Sequence, residues 1–193
     1  MKRIFEKIWE LAEPYLDTRD NTIHTRISVR LAYQLLDREG GDPAIVIPAI
    51  ILHDVGWKAI PENLHLAAFG PKATSPELNR VHEVEGVRIA KEILEQVQYD
   101  HGRIEEILEI IDGHDSREEP LSLNDKLVKD ADRLSRYAKE IFHIDMQRYN
   151  HTYEEELNRI RSQLEKWFFT RSAKRIARKE LRNRLEEFTD TQS

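Results

Sequence analysis

The chain contains no cysteine, which removes disulfides, thiolate metal sites and cysteine nucleophiles from consideration. Glycine and proline are scarce, seven of each in 193 residues, so linker-like and disordered compositions are excluded and helices can run with few interruptions. Long hydrophobic runs are missing too. The longest, Ala44 to Leu52, is about half of the ~20 residues that a membrane span requires. The opening stretch MKRIFEKIWELAEPYL scatters charges among its apolar positions and so lacks the unbroken apolar region of a secretion signal. There is no excess of positive charge: the net value is −6, which argues against a general nucleic-acid coat protein. These absences lead us to expect a cytoplasmic chain that makes no use of a membrane, folded as one domain over residues 1–193 with room for a sizeable core.

What is present reads at helical period almost throughout. Ile4, Ile8, Leu11, Ala12 and Tyr15 mark a first amphipathic helix, and Ile23, Ile27, Leu31 and Leu35 a second that stops at Gly40-Gly41. Asp42-Pro43 then supplies a helix cap with proline at the first helical position. The following AIVIPAIIL is rich in β-branched residues, which suit a buried strand. Pro48 disfavours a central strand, and we read the segment as a kinked helix, apolar on all sides. Residues 56–79, with Gly56, Pro61, Gly70, Pro71 and Pro76, read as a long loop of the kind that often serves as a lid. Helices are expected again at about 80–98, 102–115, 121–139, 140–150, 152–168 and 170–188. The fold class is all-α.

Five separated sites carry metal-ligand side chains: His24, His53-Asp54, His82, His114 and Asp132. The His53-Asp54 pair closes the apolar run, where an unpaired carboxylate is costly and a divalent metal suits imidazole and carboxylate together. His24 shares the face of Ile27, Leu31 and Leu35; His82 lies one turn before Gly86, which leaves room beside the ring. His114 extends the stripe Ile104, Ile107, Ile111, and Asp132 borders the apolar face of its helix. Taken singly, an imidazole on an apolar face is more often a core histidine donating to a carbonyl than a ligand. Jointly they would need five separate buried polar networks, whereas one metal cluster accounts for all of them. Of the other histidines, His65 falls in the long loop within reach of a substrate, while His101, His143 and His151 read as capping, structural or surface residues. Lys58 and Arg133 are candidate phosphate contacts beside Asp54 and Asp132. Glu83, Asp115 and Asp130 each adjoin a ligand and are candidates to orient an imidazole or accept a proton.

The order H…HD…H…H…D, with DADRL around the last aspartate, resembles the HD superfamily of metal-dependent phosphohydrolases. The segments that carry the likeness are HTRISVRLAYQLL, AIILHDVGW, VHEVEGVRIAKEIL, IIDGHD and VKDADRLSRY, over roughly residues 20–138, with 139–193 as a helical extension. The tail FFTRSAKRIARKELRNRLEEF is similar to the closing helix of the small stand-alone branch, some of whose members hydrolyse nucleoside triphosphates. The resemblance implies that His24, His53, Asp54 and Asp132 hold one metal, and that His82 and His114 complete a second with Asp54 as bridge. No GYP segment like that of the cyclic-di-GMP phosphodiesterases occurs, nor an ED pair like that of the alarmone hydrolases. Ser135 stands where the nucleotide-hydrolysing branch often has an acidic residue.

The chemistry so implied is hydrolysis of a small phosphorylated substrate, a nucleotide above all, by one or two divalent ions. Imidazole with carboxylate suits Mn, Fe, Co, Ni or Zn better than Mg. Two other classes stay open. Some proteins of this fold hold two irons on the same six ligands and activate oxygen. The stretch 161–184, with nine Lys/Arg against two Glu, offers a basic arm to nucleic acid or a membrane surface, although a solvated face explains it more simply. Trp167, Phe168 and Phe169 suit a core or a homodimer contact better than a base-stacking platform.

Overall fold

A computed structural model of the chain describes residues 2–70, 73–75 and 77–192. Among them are ten α-helices and no strand. The hub is α3 (Pro43–Leu52), in which every residue from Ile45 to Leu52 is buried. Asp42 caps it, its carboxylate accepting from the Ala44 amide at 2.8 Å, with Pro43 in the first turn. A segment apolar on all sides is here surrounded on all sides. Helices α1 (Arg3–Leu16), α2 (Asn21–Glu39), α6 (His101–Ile111) and α7 (Leu123–Ser135) all pack against it. Pro48 stands inside the helix and cannot donate to the carbonyl one turn earlier, that of Ala44. The Tyr99 hydroxyl takes up that acceptor, donating to the Ala44 carbonyl at 2.6 Å. This compensation comes from a residue far away in sequence.

The expected long loop is largely absent. After Asp54 the chain forms two 3-10 turns, Val55–Ala59 and Glu62–Leu64, and the short α4 (His65–Ala68), and α5 (Glu77–Gln96) begins at Glu77. Trp57, Ile60 and Ala68, with Leu64, Phe69 and Leu78 against them, form a satellite core, and that apolar spacing holds the turns in place. Pro71 and Pro76, two of the residues that suggested a loop, lie outside the described residues. Gly56 is required by a close approach, because a Cβ there would sit 1.9 Å from the His82 carbonyl oxygen and 2.5 Å from the Gly86 amide. A Cβ at Gly86 would face Ile111, the His53 carbonyl and the Gly56 amide at 3.4–3.7 Å and would not crowd an imidazole.

Beyond α7, α8 (Lys139–Tyr149), α9 (Tyr153–Gln163) and α10 (Arg171–Gln192) complete the chain. Asp130, buried on α7, accepts from the amides of Phe169 and Thr170 and from the Thr170 hydroxyl, at 2.7–2.9 Å. It anchors the start of α10 to the core and orients no imidazole. Arg178 and Lys174 of the basic arm pair with Glu165 at 2.7 and 3.6 Å, while Ala173, Ala177 and Leu181 are buried. Phe168 is buried as well. No single helix among the described residues is long and apolar enough to cross a membrane.

Candidate metal centre

Seven side chains meet at the centre of the bundle. His24 comes from α2, His53 and Asp54 from the end of α3, His82 from α5, and Asp132 from α7. His114 and Asp115 follow α6, which ends at Ile111, so His114 stands on a turn and not, as its spacing suggested, on the helix. Gly113 breaks the helix there. The first six ligands predicted from sequence are all brought together.

The donors fall into two halves. In the first, His24 Nε2 lies 3.1 Å from His53 Nε2 and 3.1 Å from Asp132 Oδ1, and Asp54 Oδ2 is 3.6 Å from both imidazoles. In the second, His82 Nε2 lies 3.2 Å from His114 Nε2, with Asp54 Oδ1 at 3.9 and 3.6 Å from the two rings. Asp54 therefore turns one oxygen to each half. Asp115 Oδ2 joins the second half, 3.7 Å from His82 Nε2 and 3.9 Å from His114 Nε2. With metal–ligand bonds of about 2.1 Å, neighbouring donors on one ion stand about 3.0 Å apart in octahedral and about 3.4 Å apart in tetrahedral geometry. The imidazole pair of each half and the His24–Asp132 pair match that spacing, while the remaining carboxylate contacts, at 3.6–3.9 Å, are somewhat wider.

Tautomers strengthen the fit. His53 Nδ1 donates to the Ile50 carbonyl and His114 Nδ1 to the Ile111 carbonyl, each at 2.9 Å. Their Nε2 atoms are thereby left to present a lone pair to the cluster in the neutral ring. His24 Nδ1 faces Ser135 Oγ at 2.9 Å, which can accept its proton. Two imidazole nitrogens 3.1 or 3.2 Å apart in a buried site repel unless a proton or a cation lies between them, so the donor set fits a divalent ion.

Without an ion, charge is shared unevenly. Burial lowers His24, and it pushes His82 down to about 4, aided by the charge on His114. Burial also opposes charging of His114, but Asp115 and Asp54 outweigh it and raise the ring to about 10. His53 is raised in the same manner by Asp54 and Asp132 against its burial. Burial would raise Asp54 and Asp132, yet the imidazoles around them hold both well below the usual carboxylate range.

Above the cluster is a narrow cleft of about 10 Å³ lined by Arg19, Asp54, Trp57, Phe69, Asp115, Asp132 and Arg136. Lys58 and Arg133 do not line it. Val55–Ala59 is a 3-10 turn, in which residues three apart eclipse. Trp57 therefore sits beside Asp54, its Nε1 donating to Oδ1 at 3.1 Å, and Lys58 turns away to the Asp17 carbonyl at 3.0 Å. Arg133 donates to the Trp167 carbonyl at 2.7 Å. Arg136, one helical turn after Asp132, is the arginine on the ligand's side, a spacing that was readable in DADRLSR. Its charge is held up, against burial, by Asp145 and Asp132. Arg19 carried no such signal. It sits at φ 53°, next to Asp20 at φ 59°, and its guanidinium lies 4.0 Å over the Trp57 ring, which stacks on His82. Burial lowers its pKa but leaves it charged at neutral pH.

The remaining candidates have other partners. His65 is buried and donates to the Ile60 carbonyl at 2.9 Å, so it holds the turn and does not reach the cleft. His101 is exposed at the start of α6, whose cap is Asp100. His143 donates to the Lys139 carbonyl and His151 pairs with Glu156. Glu83 binds backbone amides instead of an imidazole.

The model of the HD domain matches residues 22–137, more than half of the chain. No curated protein and no solved structure matches the chain. The ordered ligands, the helical bundle and this match lead to one conclusion: the chain belongs to the HD domain family, whose members are in general metal-dependent hydrolases.

Proposed function

We propose that this protein is a metal-dependent phosphohydrolase acting on a small phosphate ester or anhydride, with nucleotides as the favoured substrate class. One observation carries the reading: two facing Nε2 pairs share the Asp54 carboxylate beneath a cleft that holds two arginines. His24, His53, Asp54 and Asp132 would hold one divalent ion, and His82 and His114 would hold a second with Asp54. Such ions activate water for attack on phosphorus and offset the charge on the phosphoryl oxygens. The protein's own part is to orient and to bind. Ile50, Ile111 and Ser135 fix three rings so that Nε2 faces the cluster. Arg19 and Arg136 each commit Nη1 to a protein acceptor, the His65 carbonyl and Asp145 respectively. Their other nitrogens suit phosphate oxygens, which accept charge-assisted bonds. Trp57 and Phe69 wall the cleft and limit the water that enters it.

The test is release of orthophosphate or pyrophosphate from a panel of nucleotides by the protein loaded with Mn²⁺ or Co²⁺. His53→Ala and Asp54→Ala should reduce turnover to background while the helical circular dichroism is retained. Arg136→Gln should raise KM roughly tenfold with a smaller change in kcat. Unchanged turnover in both ligand variants would refute the reading. So would iron absorbance with oxygen uptake and no phosphate release.

A further inference from the structure

One turn of this protein is bound by three fully buried charges, a costly arrangement unless each is satisfied. The chain between α6 and α7 runs through turns and bends over residues 112–122. From α5, Glu83 accepts from the amides of Asp115 and Ser116 at 3.0 and 2.9 Å and from the Ser116 hydroxyl at 2.7 Å. From α7, Lys129 points its ammonium at the carbonyls of Gly113, His114 and Arg117, the last two at 2.8 and 2.9 Å. Asp125, also on α7, accepts from the Leu121 amide at 2.9 Å and from Arg117. These charges bind the backbone of the turn and not one another. Lys129 in particular holds three converging carbonyl oxygens, as a bound monovalent cation would.

Ordinary turn chemistry needs none of this, because exposed turns satisfy their backbone with water. What the turn carries is His114 and Asp115. Asp115 Oδ2 stands 3.7 and 3.9 Å from the Nε2 atoms of His82 and His114, within the same donor spacing as the rest of the cluster. We propose that Asp115 is a fourth protein ligand of the second ion, beside Asp54, His82 and His114, and that Glu83 and Lys129 are positioning residues that hold it there. The proposal rests on the metal reading above and explains why so much buried charge is placed at one turn.

The test counts ions and does not depend on turnover. Equilibrium dialysis against Mn²⁺ with elemental analysis should give two ions per wild-type chain, with an exchange-coupled pair in the electron paramagnetic resonance spectrum. Asp115→Asn should lose the coupled signal and bind its second ion at least tenfold more weakly. Lys129→Met and Glu83→Gln should weaken the second ion by roughly ten- to a hundredfold and leave the first unchanged. If Lys129→Met does not fold, the isosteric Glu83→Gln carries the positioning claim. Two ions of wild-type affinity in Asp115→Asn would overturn the proposal, as would equal weakening of both ions in the positioning variants. A wild-type chain that binds one ion and turns over phosphate esters would sink this inference alone. One that binds two ions and cleaves none would sink the functional reading alone.

Discussion

The two halves of the centre are built differently. His24 and Asp132 project from the first turn of α2 and the last turn of α7, two helices packed on each other and on α3, whose end supplies His53 and Asp54. Regular helices fix these donors through periodicity and core packing. In the other half only His82 lies on a helix; His114 and Asp115 stand on a turn that Glu83, Lys129 and Asp125 bind from below. The difference teaches that a ligand on a helix takes its position from packing, whereas a ligand on a turn needs its backbone secured by dedicated partners. Electrostatically the halves are alike. Each has one imidazole lowered by burial, His24 or His82, and one raised by carboxylates, His53 or His114.

That likeness makes both ions sensitive to pH, and the second shows the largest effect we expect. His114 keeps its extra proton below about 10, and because Nδ1 already donates to Ile111, the proton occupies the Nε2 that a metal needs. The sign follows: the second ion binds more tightly as pH rises towards 10 and more weakly as it falls, by about tenfold per unit for one competing proton. His82, lowered to about 4, does not compete above that pH. Calorimetry at pH 7 in buffers of different ionisation enthalpy should register proton release on Mn²⁺ binding; none would contradict the raised His114.

A smaller effect separates the halves. Ser135→Ala removes the partner of His24 Nδ1, and the first ion should weaken by about tenfold while the second is unchanged. Dialysis with elemental analysis measures both. Equal loss at the two positions would show that the halves respond as one unit. The smallest effects belong to Lys58→Ala and Arg133→Ala, whose side chains end on the carbonyls of Asp17 and Trp167. Each should change kcat/KM by less than about twofold, and Arg133→Ala should lower folding stability by about 1 kcal/mol in urea titration, the size of one hydrogen bond.

Much of this was legible in the chain. The apolar stripes around His24 and His82 and the run before His53 gave helices and inward directions, because burial and period are local properties of sequence. Legibility failed where geometry departed from 3.6 residues per turn or where partners came from afar. Lys58 was one α-helical turn from Asp54, but the segment is a 3-10 turn that favours Trp57. Arg133 is adjacent to Asp132, and adjacency on a helix turns a side chain about a quarter of the way round; Arg136 was the better choice. Arg19 had no readable signal, since its place in the cleft depends on a left-handed pair of residues and on the Trp57 ring.

By itself the sequence determined that the fold is all-α, that the protein has a candidate set of six imidazole and carboxylate ligands, and that they face inward. These follow from hydrophobic period and from the cost of burying polar groups unpaired. Only the tertiary structure decided that the set divides into two halves across Asp54, that Asp115 joins one of them, and that Arg19 and Arg136 line the cleft. Those outcomes depend on distances of a few ångströms between segments far apart in the chain, and no local pattern encodes them.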